Sequence, residues 1–180
     1  MPILSDKIMQ KIENLRWPIL LLLLTLNFSC DQFSKRIVRN EIRDYENISI
    51  IKENFTLTRV ENTGAFLSLG DNMPYIFRLI ILTGLPLLFL LYGLYFLFTK
   101  RNLPMTMQIA LCFLIGGGVG NLYDRILHGS VTDFMHMDFY LFQTGVFNFA
   151  DISIMIGISI LLFQSLRGKM VQEEPMDKAG

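Results

Sequence analysis

Two membrane-length apolar segments enclose a stretch that is rich in polar residues, 116–151. This stretch, GGGVGNLYDRILHGSVTDFMHMDFYLFQTGVFNFAD, carries four acids, one arginine, two asparagines and both histidines. Unpaired charge beside hydrocarbon costs free energy, so polar groups at this density need a reason to lie there. We interpret the stretch as a functional site at a membrane surface.

The chain as a whole is too apolar for an ordinary soluble domain. Of its 180 residues, 52% are hydrophobic and only 18% are charged, and the charges fall in clusters. We predict an all-α membrane protein in which residues 1–170 form one integral membrane domain and residues 171–180 a polar tail. The domain begins with a short amphipathic segment, and its four predicted transmembrane helices cover about 17–38, 73–98, 104–123 and 149–166.

Residues 40–72 differ from the spans because they are rich in β-branched and aromatic side chains with Asn and Gly punctuation. This pattern predicts a small β-rich element outside the membrane. Asn62-Thr63-Gly64 is a turn signal. Gly64 beside Ala65 allows another segment to approach the backbone closely, and a plain hairpin turn is the alternative interpretation.

Charge restricts the partners and the orientation of the chain. The net charge is +0 and no basic stripe is present, which argues against nucleic-acid binding. Four spans place both termini on one side, but half of the 16 Lys and Arg residues lie on each side, so a simple count gives no orientation. The short basic hairpin at 99–103 favours the cytoplasm for the side that holds the termini.

Two further features of the spans suggest packing and pairing. Asp31 and Lys35 are four residues apart, a spacing that places acid and base on one helix face. One interpretation is an ion pair whose side chains extend towards water at the lipid boundary. The other is that the pair supports the functional site. The glycines at 116, 117, 118 and 120 favour close helix packing, because a nucleotide-binding glycine loop needs a preceding strand.

The end of the third predicted span carries Asn121, Asp124 and Arg125. Asn121 and Asp124 share a helix face, and the guanidinium of Arg125 has the geometry to hold a carboxylate in a bidentate clamp. We therefore expect Asp124 to be neutralised by pairing and to organise the site.

Asp133 and Asp151 are the stronger catalytic candidates. If Asn148 caps the fourth span, Asp151 lies in the first helical turn, facing the positive end of the helix. Asp133 lies in an extended stretch that can fold back over the same membrane rim. Two carboxylates that meet there would share a proton, so that one acts as a base on water and the other as an acid.

Other catalytic arrangements fit less well. His128, His136 and Asp138 offer metal ligands, but the histidines lack one-face helical spacing and no HExxH motif is present. Ser130 and Ser153 have no evident histidine partner for a nucleophilic triad. A proton-coupled transporter would place acids near the middle of its spans, and a purely structural assembly protein would explain neither the paired acids nor the asparagines.

Five blocks of the chain, in order, resemble the lipoprotein signal peptidase family, the bacterial signal peptidases II. The blocks are DQFSK (31–35), ENTGAF (61–66), GGGVGNLYDR (116–125), GSVTDF (129–134) and FNFAD (147–151). The resemblance implies a four-helix aspartic endopeptidase that removes signal peptides from prolipoproteins, cutting on the amino side of the diacylglyceryl-modified cysteine. Ser34 stands where the family usually has Thr, which keeps the hydroxyl.

The resemblance also implies roles for individual residues. Asp133 and Asp151 correspond to the catalytic dyad, although Asp124 is also a candidate acid on motif grounds. The residues that correspond to substrate-binding or supporting positions are Asn62, Gly64, Ala65, Asn121, Asp124, Arg125, Asn148, Asp31 and Lys35.

The same resemblance predicts the setting of the enzyme. We expect a multi-pass protein of the bacterial inner membrane with cytoplasmic termini and a site near the outer face, where a lipidated substrate arrives laterally from the bilayer. Burial from water is expected to raise the pKa of at least one dyad acid. We expect a monomer in contact with membrane lipid that needs neither a cofactor nor a metal.

Overall fold

A computed structural model of the chain describes residues 2–52, 54–64, 73–100 and 103–172. Within these ranges the fold is mostly helical with one small sheet. Its elements are α1 (Pro2–Glu41), β1 (Asn47–Ile51), β2 (Phe55–Asn62), α2 (Tyr75–Leu79), α3 (Leu85–Thr99), α4 (Met105–His128), β3 (Val131–Met137) and α5 (Phe149–Gln172).

Three helical segments among the described residues are long and apolar enough to cross a membrane: Tyr75–Thr99, Met105–His128 and Phe149–Arg167. They match the second, third and fourth predicted spans. Helix α1 is not one of the three. Its apolar run is followed by Asp31 and Lys35, whose polarity lowers the hydrophobicity of its second half.

Two predicted helix boundaries were wrong. Helix α1 is continuous from Pro2 through Pro18, so the amphipathic segment is not a separate helix. An internal proline removes only one backbone hydrogen bond, and no glycine or turn signal nearby stops the helix. Helix α4 continues beyond residue 123 to His128, where Gly129 ends it in the left-handed conformation with φ of 74°.

The second span contains a wide turn. Helices α2 and α3 are joined without a break by a π-helical segment, Ile80–Gly84. Pro86 lies two residues beyond this segment. It lacks an N–H, and its ring crowds the carbonyl of Leu82, so the helix widens locally instead of breaking. The segment therefore remains one membrane-length helix.

Helix α4 is the centre of the bundle. In the apolar part of α4, 44% of the residues are buried inside the protein. In the apolar part of the span formed by α2 and α3, only 6% are buried. Helix α4 packs against α1, α3 and α5. Gly116 faces Asn27 of α1, and Gly117 faces the carbonyl of Ala150 at the start of α5, so the predicted packing role of these glycines is confirmed.

The sheet joins two distant parts of the chain. Its strand order is β1-β2-β3 with antiparallel pairing, so the stretch after α4 completes the predicted outer element. The hairpin turn between β1 and β2 falls near Lys52, which has φ of 44°, and Asn62 ends β2 instead of forming that turn. Asn62 is paired with Val131, which brings it beside β3.

The sheet rests on the C-terminal end of α1. Val38 and Ile42 of α1 form a buried cluster with Phe134 and Met135 of β3. Strand β3 is therefore held against α1 by the two residues that follow Asp133. Residues 65–72 of the predicted outer element, and 173–180 of the predicted tail, lie outside the described residues.

Candidate active site

Asp133 is a buried carboxylic acid on β3. Its side chain is held on both oxygens, because Asn62 donates a 2.9 Å hydrogen bond to Oδ2 and Asn148 donates one of 2.6 Å to Oδ1. Burial and the negative charge of Asp151 raise the pKa of Asp133 to about 7, although the hydrogen bonds from the two asparagines oppose this increase. Asp133 can therefore hold or release a proton near neutral pH.

Asp151 lies in the first turn of α5 and is fixed by a reciprocal cap. The backbone N–H of Asn148 donates to Oδ2 of Asp151 at 3.1 Å, and the N–H of Asp151 donates to Oδ1 of Asn148 at 3.0 Å. Asn121 donates a further 2.9 Å bond to Oδ1 of Asp151. The predicted capping role of Asn148 is confirmed.

Asn121 and Asn148 connect the two acids. Nδ2 of Asn148, which donates to Asp133, also lies 3.2 Å from Oδ1 of Asn121, whose own Nδ2 donates to Asp151. A short chain of hydrogen bonds thus runs from one carboxylate to the other through two amides. The fold brings together the four side chains that the sequence placed on three different elements.

A buried ion cluster lies behind the two asparagines. Nζ of Lys35 is 2.8 Å from Oδ2 of Asp31 and 3.0 Å from Oδ2 of Asp124, and the side chains of all three are 0% exposed. Lys35 also donates to Oδ1 of Asn121 at 2.9 Å. The interpretation of a pair that extends towards water at the lipid boundary is therefore wrong, because the pair lies inside the bundle and supports the amide network.

Asp31 also contacts the start of α5. Its Oδ1 accepts a 3.0 Å hydrogen bond from the backbone N–H of Ala150. Ala150 immediately precedes Asp151, so α1 helps to determine where the first turn of α5 lies.

The predicted clamp between Asp124 and Arg125 is not formed. Asp124 instead contacts Lys35 and Arg39 of α1, with 2.8 Å between its Oδ1 and Nη2 of Arg39. Successive helical residues point about 100° apart, so Arg125 is directed away from α1. Its guanidinium donates a 2.9 Å hydrogen bond to the carbonyl of Gly64.

The segment after β2 is attached to the site through Asn62 and Gly64. Oδ1 of Asn62 accepts a 3.0 Å bond from the N–H of Gly64 while its Nδ2 donates to Asp133. Together with the contact from Arg125, this closes the predicted turn over the site. Ala65, also predicted to contribute, lies outside the described residues.

Four supporting residues were not predicted from the sequence. Thr132 Oγ1 accepts from Arg39 at 2.8 Å and lies 3.0 Å from Glu61, while Gln32 donates to Asp31 and to Asp124. Arg39 follows Lys35 by four residues, so the same helical spacing that relates Asp31 to Lys35 pointed to it. No local pattern related β3 to α1.

Glu61 joins β2 to β3 beside Asp133. Burial raises its pKa, but hydrogen bonds from Ser130, Thr132 and Arg59 outweigh this effect, and the pKa of Glu61 lies below its usual range. The ionised carboxylate is thus bound to the residue that precedes Asp133. This contact holds the backbone of β3 in place at the acid.

An apolar groove of about 490 Å³ extends from Asp151 along α5. Asp151 is its only ionisable lining residue among the described residues. The rest of the lining is supplied by Thr144, Gly145, Phe147, Ile152, Met155, Ile156, Ser159 and Ile160. The groove suits an extended apolar chain whose polar end lies at Asp151.

The alternative catalytic residues are not brought together as a site. His128 is exposed at the end of α4, and Ser153 donates a 2.7 Å hydrogen bond to Asn27. Ser130 donates to Glu61 at 2.7 Å. In the described ranges, no three His, Cys, Asp or Glu side chains are close enough together to hold a metal ion.

The fold and the site define a small helical membrane protein. At one end of its bundle it carries two carboxylic acids that are connected by hydrogen bonds through two asparagine side chains. The chain belongs to the signal peptidase II family of membrane peptidases, since residues 23–167 match the family model described as Signal peptidase (SPase) II. It is 36% identical over 150 residues to the lipoprotein signal peptidase of Clostridioides difficile (strain 630), covering 81% of this chain and 96% of the relative. It is 38% identical over 132 residues to that of Halothermothrix orenii, with 73% and 84% covered.

Two solved structures share the fold. Both are described as bacterial membrane enzymes determined by the in meso method. One, at 2.3 Å resolution, superposes with a TM-score of 0.76 at 24% identity and covers 89% of this chain and 95% of the other. The second, at 1.9 Å, has a TM-score of 0.71 at 25% identity, with 83% and 93% covered. The architecture is therefore that of a known class of bacterial membrane protein.

Proposed function

We propose that this protein removes the signal peptides of diacylglyceryl-modified prolipoproteins as an aspartic endopeptidase, with Asp133 and Asp151 as its dyad. The observation that carries the proposal is the pair of acids, Asp133 and Asp151, connected by hydrogen bonds through asparagine side chains. A carboxyl group with a pKa of about 7 lies one short hydrogen-bond chain from a second carboxylate. Membership of the signal peptidase II family supports the same substrate class.

The proposed chemistry divides the work between the two acids. Asp151 accepts a proton from a water molecule, whose oxygen attacks the carbonyl carbon of the scissile peptide bond, while protonated Asp133 donates its proton to the carbonyl oxygen. The resulting gem-diol collapses as the proton on Asp151 moves to the leaving amide nitrogen and the C–N bond breaks. Asp133 takes back a proton from one of the two hydroxyls, which leaves a carboxylic acid product and restores the starting protonation of the dyad. A dyad with one shared proton near neutral pH meets both needs.

The supporting residues are proposed to position the dyad. Asn121 and Asn148 hold the two acids at a set separation, and Lys35 holds Asn121 in turn. Asn62, Gly64 and Arg125 attach the segment after β2 above Asp133. The substrate backbone would lie between this segment and the start of α5.

The proposal includes a fourth membrane helix and an orientation. The apolar part of α1, about residues 17–38, crosses the membrane alongside α4, which puts both termini in the cytoplasm and the dyad near the outer face of the bacterial inner membrane. The groove beside Asp151 opens along an exposed apolar face of α5, so an acylated substrate can enter from the lipid. The protein acts as a monomer without a cofactor.

The experiment is gel-based cleavage of a diacylglyceryl-modified prolipoprotein by the purified protein in detergent. Wild type should release the signal peptide. Asp133→Asn and Asp151→Asn should each reduce the rate by about 10³-fold or more, because each removes one acid–base group. Failure of the wild type to cleave would overturn the substrate class, and appreciable turnover by either variant would overturn the dyad.

Asp138→Asn is the matched control. Asp138 belongs to the same polar stretch, and within the described ranges its carboxylate accepts a hydrogen bond from the N–H of Tyr140, two residues along, and from no other group. The variant makes the same chemical change and should cleave at the wild-type rate. All variants should first show a cooperative thermal transition in detergent, so that loss of cleavage is not loss of fold.

A further inference from the structure

A groove of about 460 Å³ lies between the C-terminal ends of α1 and α4, next to the ion cluster, because Arg39 both lines the groove and contacts Asp124. Its walls come from one face of each helix. The residues that matter for its chemistry are Phe33, Arg36 and Arg39 of α1, with Tyr123, Leu127 and His128 of α4. The proposed catalysis uses none of the exposed side chains among them.

The polar part of the groove is basic. Arg36 and His128 are exposed, and Arg39 is half-buried with its guanidinium on Asp124. No acidic side chain lines the groove among the described residues, and Arg36 has no carboxylate partner in that part of the chain. A guanidinium fork matches the oxygens of a phosphate group in geometry as well as in charge.

The remaining walls are apolar and exposed. Phe33 is 68% exposed and Leu127 57% exposed, while Tyr123 packs edge-on against Phe28 with 5.6 Å between the ring centroids. Exposed aromatic side chains beside cations are typical of the level at which lipid headgroups meet hydrocarbon. Helix α4 is long enough to cross the membrane and ends at His128, which places the groove at that level.

We propose that this groove binds one anionic glycerophospholipid, with its phosphate on Arg36 and its glycerol and upper acyl chain against Phe33, Tyr123 and Leu127. The basic side chains of the groove favour an anionic headgroup. Its apolar wall favours a lipid, because a free phosphate ion would make no contact with that wall. The bound lipid would lie against the helix faces that carry Lys35 and Asp124 on their inner side. It would therefore brace the α1–α4 contact behind the candidate site.

The test is native mass spectrometry of the purified protein with phosphatidylglycerol or phosphatidylcholine of the same acyl chains. The inactive Asp133→Asn protein serves as the background, so the result does not depend on the proposed peptidase activity. Phosphatidylglycerol should bind more tightly than phosphatidylcholine. Arg36→Gln should weaken phosphatidylglycerol binding about fivefold, the effect of one cation near a lipid surface, whereas Arg36→Lys should retain most of it.

Arg43→Gln is the matched control because Arg43 is exposed near the same end of α1 but does not line the groove. It should leave phosphatidylglycerol binding unchanged. Equal binding of the two lipids, or equal losses in Arg36→Gln and Arg43→Gln, would overturn the proposal. So would displacement of the lipid by glycerol phosphate at similar concentration, since the groove would then be a simple anion site.

Discussion

Asn148 and Asp151 exchange two hydrogen bonds: the backbone N–H of Asn148 donates to Oδ2 of Asp151, and the backbone N–H of Asp151 donates to Oδ1 of Asn148. The side-chain nitrogen of Asn148, Nδ2, donates a further hydrogen bond to Oδ1 of Asp133 at 2.6 Å. One side chain thus begins α5, fixes one acid in its first turn and holds a second acid on β3. The helix cap and the candidate site are the same set of contacts.

We expect Asn148→Ala to lose both functions together. Removal of the cap should lower the free energy of unfolding by about 1 kcal/mol. Loss of the contact with Asp133 should misplace the dyad and lower cleavage on the order of 10²-fold. Thermal unfolding in detergent and the cleavage rate measure the two effects.

Ser153→Ala is the control for this prediction. Ser153 lies on the same helix and donates one partly buried hydrogen bond, to Asn27, and it makes no hydrogen bond to the side chain of Asp133 or Asp151. It should lose a similar amount of stability with little loss of cleavage. If the two variants lost activity equally, the contact between Asn148 and Asp133 would have no special role.

The pKa of Asp133 predicts a pH dependence. If Asp133 is the proton donor, kcat/KM should be high below its pKa of about 7 and fall as the pH rises through that value. Because the folded state raises this pKa, the protonated form also favours the folded state. The stability that Asp133 contributes is fully present below the usual Asp pKa of 3.8 and is lost as the pH rises from there to about 7.

The measurement is a pH profile of cleavage together with thermal unfolding between about pH 4 and pH 8, which spans the usual and the raised pKa of Asp133. The Tm of the wild type should fall over this interval more than that of Asp133→Asn, which cannot titrate at this position. An activity profile that rises through pH 7 would contradict the assignment of Asp133 as the acid.

Local spacing was enough to predict the contacts that lie within one helix. The separation of four residues between Asp31 and Lys35 predicted their ion pair, and the separation of three between Asn148 and Asp151 predicted the cap. Both depend only on helical geometry. The apolar lengths likewise predicted the three candidate spans.

Contacts between elements were predicted less well. Asp124 was assigned to its neighbour Arg125, but it contacts Lys35 and Arg39, almost ninety residues earlier. The register that places Val60 beside Asp133 depends on how the end of α4 returns to the sheet. Such contacts follow from the packing of helices and strands, which no local pattern encodes.

Lys35 should be essential for stability, because it separates two buried carboxylates. Lys35→Met would leave Asp31 without its cation and Asp124 with only Arg39. We expect a loss of about 3–5 kcal/mol, as found when one partner of a buried ion pair is removed. Asp44→Asn breaks an ion pair in which Asp44 is 61% exposed and should cost about 0.5 kcal/mol.

Chemical unfolding in detergent compares the two variants. Equal small losses would mean that water screens the cluster around Lys35 despite its burial. A large loss only in Lys35→Met would confirm that the cluster is a buried structural centre.

Two adjacent glycines of α4 provide the last prediction. A methyl group at Gly117 would meet the carbonyl oxygen of Ala150 and lie 3.0 Å from Cβ of Ser153, whereas for one at Gly118 the three nearest described atoms belong to the Leu90 side chain. Backbone cannot move aside as a leucine side chain can. Gly117→Ala should therefore cost about 1–3 kcal/mol and shift the first turn of α5.

Gly118→Ala is the matched control, since both changes gain the same intrinsic helix propensity. It should be as stable as wild type or more stable, with normal cleavage. Gly117→Ala should lose cleavage even where it remains folded, because Asp151 follows Ala150 directly. If both variants cleaved normally, the contact between α4 and the start of α5 would not determine the position of Asp151.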